Sequence, residues 1–286
     1  MGIFDGLEKF GLGSIDKKHL FDAGKKVEKK QVETQKVKLE DLKEEDYLLD
    51  KQMRCPVCDN NFKTKTMKTS KARRIGADKD LRPRFQGIDS IKYDVASCPK
   101  CGYTAMMRFF PHLSMVQIKL LKEKVWDNFK PSDEELPETY SYEYALEKYK
   151  LALFCTLVKM GKVSERAYAC LKMSWLCRGQ LEEWKAQGVA DDDEKVVKRR
   201  QEEREYYEQA YEGLTKAVAS EPFPICGMDQ HTVDLLLAEM AFILGKYENA
   251  SKLVSRLLTS QTVKNSVKDK AHDLKEEIVE VLKNKQ

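Results

Sequence analysis

Eight cysteines are spread unevenly over 286 residues. Four form two tight pairs, CPVC at 55–58 and CPKCG at 98–102, and four are scattered as Cys155, Cys170, Cys177 and Cys226. In a Cys-x-x-Cys turn with proline after the first cysteine, both sulfurs fold toward one point and backbone N–H groups are aimed at them, which favours the thiolate. Gly102 follows the second cysteine of its turn, where a positive φ is often needed. Asp59 and Asn60 occupy the matching place after Cys58, and Asp and Asn tolerate that conformation best after glycine. Four soft donors make a closed tetrahedral site, the structural pattern for Zn²⁺. With Cys55, Cys58, Cys98 and Cys101 all used as ligands, no position remains for a catalytic water. The competing readings are a redox thiol pair, an iron site and an unmetallated fold. A thioredoxin-like pair is disfavoured because two pairs are present and no βαβ pattern surrounds them. A secreted disulfide scaffold would be shorter and more evenly seeded with Cys, so reduced thiols in a cytoplasm are expected.

The elements that must position these sulfurs are short strands. The pairs are separated by 39 residues, in which Phe62–Met67 alternates Thr and Lys with larger groups. Ile91, Tyr93 and Val95 alternate with polar partners, and Tyr103–Phe110 continues from the second turn as a further strand. The expectation is a zinc ribbon: one small antiparallel sheet clipped at one end by metal. Metal-binding free energy then becomes folding free energy for an otherwise coreless module.

Charge concentrates in the same place. Between Lys51 and Phe110 there are fourteen Lys and Arg against five Asp, an excess of +9 within a chain whose total is +4. Lys63, Lys65, Lys68, Lys71, Arg73, Arg74, Arg82 and Arg84, interleaved with Phe62, Phe85 and Tyr93, suit phosphate neutralisation and base stacking. The plainer reading is a solvated face that keeps edge strands unpaired. Asp78 and Asp80 are placed to pair with Arg73 or Arg74.

Beyond Ser114 the periodicity is helical. Ser114-Met-Val-Gln117 is a capping box before Ile118, Leu121 and Val125. A long helix from Ser141 carries Tyr142, Ala145, Leu146, Tyr149, Ala152, Leu153, Leu157 and Met160, and stops at Gly161. Ser164 opens its partner, with Ala167, Cys170, Leu171, Ser174 and Trp175 on one face. A further helix spans Asp191–Ala219 and is stopped by Pro222 and Pro224. In the stretch 235–258, Gly245 makes a tight interhelical turn, Tyr247 packs back and Ala250 permits close approach, in the manner of a tetratricopeptide hairpin; Gly161 and Ala167 echo these roles. The two glycines are 84 residues apart, not a multiple of 34, so a regular array is not expected. Stacked hairpins bury one face and leave a groove that binds a peptide or partner segment.

Residues 1–13 hold Ile3, Phe4, Leu7 and Phe10 at helical spacing, and residues 14–46 are a mixed-charge run read as a frayed helix or linker. Cys155, Cys170 and Cys177 read as small core residues. Cys226, Asp229 and His231 share one loop but lack a further partner at ligand spacing. There is no Gly-rich phosphate loop, Ser-centred elbow or HExxH, so no enzyme is expected. No run of eighteen apolar residues suits a membrane span, and the amino terminus lacks the pattern of a signal peptide.

The segment YLLDKQMRCPVCDNNFKTKTMKTSKARRIGADKDLRPRFQGIDSIKYDVASCPKCGYTAMM (47–107), followed by the GKYENA hairpin, resembles the bacterial family catalogued as domain of unknown function 2225. The resemblance covers nearly the whole chain beyond residue 46. It implies a cytosolic bacterial protein with a zinc-ribbon-like front and a tetratricopeptide-like back, with Cys55, Cys58, Cys98 and Cys101 at the family's Cys positions. The family has no assigned activity, so no catalytic residue is carried across.

The expected architecture is α+β, mostly α. An amphipathic terminus and charged linker (1–46) precede a β-rich Cys₄ zinc ribbon (47–112) and a tetratricopeptide-like helical-hairpin array (113–286). The expected function is that of a non-enzymatic adaptor with structural Zn²⁺ and a protein partner on the helical part. Alternatives are nucleic-acid binding by the basic ribbon and an oxidation-sensitive zinc switch. A small-molecule substrate is not expected.

Overall fold

The computed structural model describes residues 42–131 and 135–284. The expected amino-terminal helix and most of the charged linker lie outside the described residues. Leu42–Gln286 pack as one compact unit.

Among the described residues, a 3-10 turn (Glu44–Tyr47) leads into six short strands: β1 (Leu48–Arg54), β2 (Asn61–Met67), β3 (Arg74–Ala77), β4 (Pro83–Phe85), β5 (Val95–Ser97) and β6 (Thr104–Met106). They pair as three separate antiparallel hairpins, β1–β2, β3–β4 and β5–β6, not as the single sheet expected from the sequence. Asn61–Met67 is the strand that alternation predicts. The second prediction fails in part: Ile91 and Tyr93 sit in a turn of 3-10 helix, Ser90–Tyr93. Asp89 starts that turn by accepting from the Ile91 N–H at 3.0 Å, and both Ile91 and Tyr93 are buried. The strand after the second knuckle is also shorter than Tyr103–Phe110. The chain turns back beyond Met106, so that the Tyr103 hydroxyl donates to the Phe110 carbonyl and the two rings lie 4.8 Å apart.

Seven α-helices follow among the described residues: α1 (Met115–Lys124), α2 (Tyr142–Val158), α3 (Val163–Ala186), α4 (Glu194–Ser220), α5 (Gln230–Ile243), α6 (Tyr247–Thr259) and α7 (Asn265–Lys283). Ser114 and Gln117 form the expected capping box, with reciprocal bonds of 3.3 and 3.0 Å, and Ser141 caps α2. The α4 helix begins later than Asp191, because Asp193 accepts from the Lys195 N–H and so serves as its cap. At the α5–α6 turn Gly245 has φ +74° and the Lys246 N–H reaches back to the Ala241 carbonyl. The α2–α3 turn repeats this pattern one residue out of step with the expected echo. Met160, at φ +54° and exposed, takes the left-handed position, while the Gly161 N–H bonds to the Thr156 carbonyl. A Cβ on Gly161 would lie 2.7 Å from the Thr156 methyl, so this glycine serves close approach. Ala167 packs against Gly213 of α4, Ala250 is fully buried, and the Tyr247 ring meets Phe242 edge-on at 5.7 Å.

The hairpins are not a free-standing layer. Ile91, Val95 and Met106 enter the main helical core beside Leu146, Tyr149 and Leu171. The β3–β4 loop reaches further, across α3 to α7. Asp80, 1% exposed, accepts from Trp175 Nε1 at 3.0 Å and Arg178 Nη1 at 2.8 Å. Arg82, 2% exposed, bridges Asp89 at 2.9 Å and Glu182 at 3.2 Å. Lys79 meets Glu277 of α7 at 2.5 Å. The expected pairing of Asp78 and Asp80 with Arg73 or Arg74 is not made: Asp78 binds Arg84 at 2.7 Å, and Asp80 binds Arg178. This hairpin, whose register shifts between Arg74 and Gly76, carries Arg82 and Arg84 toward the helices and leaves Arg73 and Arg74 facing solvent.

Two stability predictions follow from this clasp. Arg82→Met leaves the half-buried Asp89 carboxylate without its cation and should cost about 3 kcal/mol, read as a lower urea midpoint. Glu239 on α5 is buried with Oε2 unpartnered, and burial pushes its carboxyl up to about 7. The folded state therefore holds this proton where the unfolded chain has lost it. Stability from this group should fall as pH rises from about 4.5 through about 7, by about 3 kcal/mol. Glu239→Gln should flatten that decline; an unchanged pH profile would assign the decline to other groups.

Candidate metal centre

Each Cys-x-x-Cys turn closes one hairpin, and the two are built alike. In the first, the Cys55 N–H donates to the Asn60 carbonyl and the Asp59 N–H to the Cys55 carbonyl, both at 2.9 Å. In the second, the Cys98 N–H donates to the Tyr103 carbonyl at 2.9 Å and the Gly102 N–H to the Cys98 carbonyl at 3.0 Å. The residue after the second cysteine is left-handed in both, Asp59 at φ +58° and Gly102 at φ +74°. The requirement anticipated at these two positions is thus met. Gly102 carries a second constraint: a Cβ there would fall 2.3 Å from the Phe129 ring.

The turns bring their sulfurs together. Cys55 Sγ lies 3.6 Å from Cys101 Sγ, Cys58 Sγ lies 3.5 Å from Cys98 Sγ, and all four lie within 4.8 Å of one another. A tetrahedron with metal–sulfur bonds of about 2.3 Å has edges of about 3.8 Å, so the donor set fits one tetrahedral ion. All four cysteines are free thiols, not disulfides. Cys55, Cys98 and Cys101 are buried, and Cys58 is partly exposed.

Electrostatics point the same way. The Cys101 sulfur beside it holds Cys98 down to about 2, aided by the amides of Cys101 and Lys100. Hydrogen bonding to Cys55 and then to Cys98 drives Cys101 well above the usual thiol range. Four adjacent sulfurs share one thiolate charge cheaply and resist further ones; a cation at their centre removes that resistance. Cys55 is pushed up to about 12: the bond to Cys101 lowers it, but the bond to Cys98 and burial outweigh that, and the amides of Cys58 and Val57 offset only part of the rise.

The surroundings are apolar. Val57, Phe62, Ala96, Tyr103, Phe110, Leu121 and Val125 pack around the sulfurs, joining the hairpins to α1 and α2. A fifth thiol is close: Cys155 of α2 donates to the Gly102 carbonyl at 3.7 Å, and burial pushes it up to about 11. It supports the second turn and is not one of the four donors. The sequence carried no signal for this, since Cys155 stands on an ordinary apolar helix face. Cys170 and Cys177 are buried in α3, as expected of core residues.

The loop with Cys226, Asp229 and His231 does not converge on a site. The Cys226 thiol donates to the Ser164 carbonyl, Asp229 caps α5 through the Thr232 N–H, and His231 meets Thr262. The eight basic residues are likewise dispersed. Arg82 and Arg84 are engaged with carboxylates of the clasp. Lys65 pairs with Asp50 at 2.8 Å, and Lys68 donates to the Asp46 carbonyl. Lys63, Lys71, Arg73 and Arg74 are exposed.

Replacement of Gly102 by alanine should loosen the second turn through both its φ and the Phe129 ring, lowering metal affinity and melting temperature together. Asp59→Gly, at the equivalent exposed position, should change stability by less than about 1 kcal/mol. Equal effects of the two substitutions in a metal-competition titration would contradict this account.

No curated protein and no solved structure matches the chain. A family model described as an uncharacterised protein conserved in bacteria, DUF2225, matches residues 48–278, from the first strand into the last helix. Having the paired cysteine turns and the helices behind them within that match, the chain belongs to this bacterial family.

Proposed function

We propose that the protein is a non-enzymatic adaptor. A zinc ion held by Cys55, Cys58, Cys98 and Cys101 locks the hairpins onto the helices, and a protein partner docks on the helical side, an irregular array of tetratricopeptide-like hairpins. The observation that carries the reading is the metal centre's setting: a closed four-thiol donor set enclosed by apolar side chains shared with α1 and α2. An ion so enclosed is suited to holding two layers together and not to activating a substrate. The partner surface is supported by exposed apolar groups. Met115 and Val116 at the start of α1, and Phe154, Leu157 and Met160 at the end of α2, are all exposed. Gln117 Nε2 donates to the Lys159 carbonyl at 3.3 Å and brings these two helix ends side by side. Clustered large apolar side chains at a surface are a feature of interaction sites. No helix among the described residues is long and apolar enough to cross a membrane.

A nucleic-acid reading retains Lys63, Lys71, Arg73 and Arg74 as exposed cations, half of the set the sequence suggested. The internal pairing of Arg82 and Arg84 favours the adaptor over it.

Elemental analysis of the purified protein should find one zinc per chain. Its removal by a chelator should lower the melting temperature and expose the apolar groups between hairpins and helices. Proteins cross-linked to the zinc-loaded chain in bacterial lysate should be lost from a Phe154→Ser, Leu157→Ser double variant that still melts cooperatively. Retention of the same partners by that variant overturns the docking surface. A full charge of zinc whose removal leaves stability unchanged overturns the structural role of the metal. Tight, salt-sensitive binding of single-stranded RNA or DNA would transfer the function to the basic residues.

A further inference from the structure

The four sulfurs of the two knuckles are packed alike but are not equally reachable. Cys55, Cys98 and Cys101 are each 0% exposed, whereas Cys58 is half-buried. The chain beside Cys58 is also open: Asp59 is exposed, and its ion pair with Arg54 at 2.9 Å lies in solvent. On the other turn Pro99 and Lys100 are exposed, while the two cysteines that flank them are not. A small polar oxidant arriving from water therefore meets one sulfur of the set. As a metal donor that sulfur is held as the thiolate, the form that attacks peroxides. Thiolate character is shared by all four donors, so access decides, and it singles out Cys58.

The sulfur set against Cys58 belongs to the other turn. Cys58 Sγ lies 3.5 Å from Cys98 Sγ, van der Waals contact for two sulfurs, and Asn60 Nδ2 of the first turn lies 4.0 Å from the same Cys98 atom. Cys55 is in turn set against Cys101 at 3.6 Å. Both contacts run between hairpins, because the first knuckle joins β1 to β2 and the second joins β5 to β6. The other four thiols are engaged elsewhere. Cys155 donates to the Gly102 carbonyl at 3.7 Å, Cys226 donates to the Ser164 carbonyl at 3.4 Å, and Cys170 and Cys177 are buried in α3.

We propose that, on the reading of a bound zinc ion given above, Cys58 is the oxidation site at which hydrogen peroxide opens the metal centre, by forming a disulfide with Cys98 across the two knuckles. The Cys58 thiolate attacks one peroxide oxygen: an S–O bond forms, the O–O bond breaks, hydroxide departs and Cys58 is left as the sulfenic acid. The Cys98 thiolate then attacks the Cys58 sulfur: the S–S bond forms, the S–O bond breaks and a second hydroxide departs. Two thiolates have given two electrons to one peroxide, and both hydroxides take protons from solvent to become water. Neither sulfur of a disulfide carries the charge that binds a cation, so half of the donor set is lost. Cys55 and Cys101 alone do not complete a four-donor site. The new bond keeps the two hairpins tied to each other and shields Cys58 from further oxidation to the sulfinic acid. Thiol exchange can therefore reverse the step.

The zinc-loaded full chain would be treated with roughly ten equivalents of hydrogen peroxide. A zinc-binding dye reads the metal released, and alkylation, digestion and mass spectrometry read the thiols. Zinc release should keep pace with disulfide formation, and the first linked peptide should join Cys58 to Cys98. Cys155, Cys170, Cys177 and Cys226 should stay reduced and open to alkylation once the chain is unfolded. Dithiothreitol with added zinc should restore the original melting temperature. Cys58→His keeps a zinc donor while removing the exposed sulfur, and should slow peroxide-driven release about tenfold. If that variant does not hold zinc, the peptide map of the native chain decides by itself. Zinc retained under peroxide, a first disulfide at Cys55–Cys58 or Cys98–Cys101, or release from Cys58→His as fast as from the native chain overturns the proposal. Each of these outcomes leaves the structural role of zinc standing. A purified chain without zinc would instead overturn that role, and the oxidation site with it.

Discussion

Four sulfurs held within 4.8 Å of one another cannot all be charged unless a cation lies among them. This constraint organises the front of the protein. The two knuckles are short loops whose backbone bonds repeat at the same offsets, so each delivers two donors at a fixed angle. Their hairpins contribute few apolar side chains of their own. Phe62, Ala96 and Ala105 reach the centre from the strands, while Leu121 comes from α1, Val125 from the residue that ends it and Cys155 from α2. The four-cysteine cluster is thus the meeting place of hairpins and helices, and its packing belongs to both.

A second set of contacts ties the same layers at a distance from the sulfurs. The β3–β4 loop lays Asp80 against Trp175 and Arg178, and Arg82 against Glu182. These pairs lie on α3, whose buried face also holds Glu165, Lys172, Ser174 and Gln180 among its apolar residues. Buried ion pairs of this kind add little net stability over a well-packed apolar contact, but they penalise misplacement severely. Their effect is to define one seating of the insert on the helices. The insert seated there covers part of the helical face.

The convergence of the four cysteines was legible because the knuckle is a local device. Six consecutive residues contain the turn, the left-handed residue at Asp59 or Gly102, and the sulfurs, so type and spacing suffice. The caps at Ser114 and Ser141 were legible for the same reason. Met160 was misread in favour of Gly161 because both residues sit at the helix end, and glycine is the commoner left-handed residue; close packing on Thr156 claimed the glycine for another purpose. Ile91 and Tyr93 alternate like a strand, yet a side chain two residues away, Asp89, wins the local backbone for a turn.

What the sequence by itself determined is the chemistry of the four cysteines, the left-handed positions that shape their turns, and the succession from strands to helices. These follow from residues near one another in the chain. Only the tertiary structure decided where the basic residues go, because an arginine's partner is chosen by what lies within a few ångströms in space. Arg82 finds Glu182 across the fold, and Lys63 finds solvent at an open strand edge. The same holds for the three separate hairpins. Strand partners depend on the packing of distant segments, which periodicity along one segment does not encode.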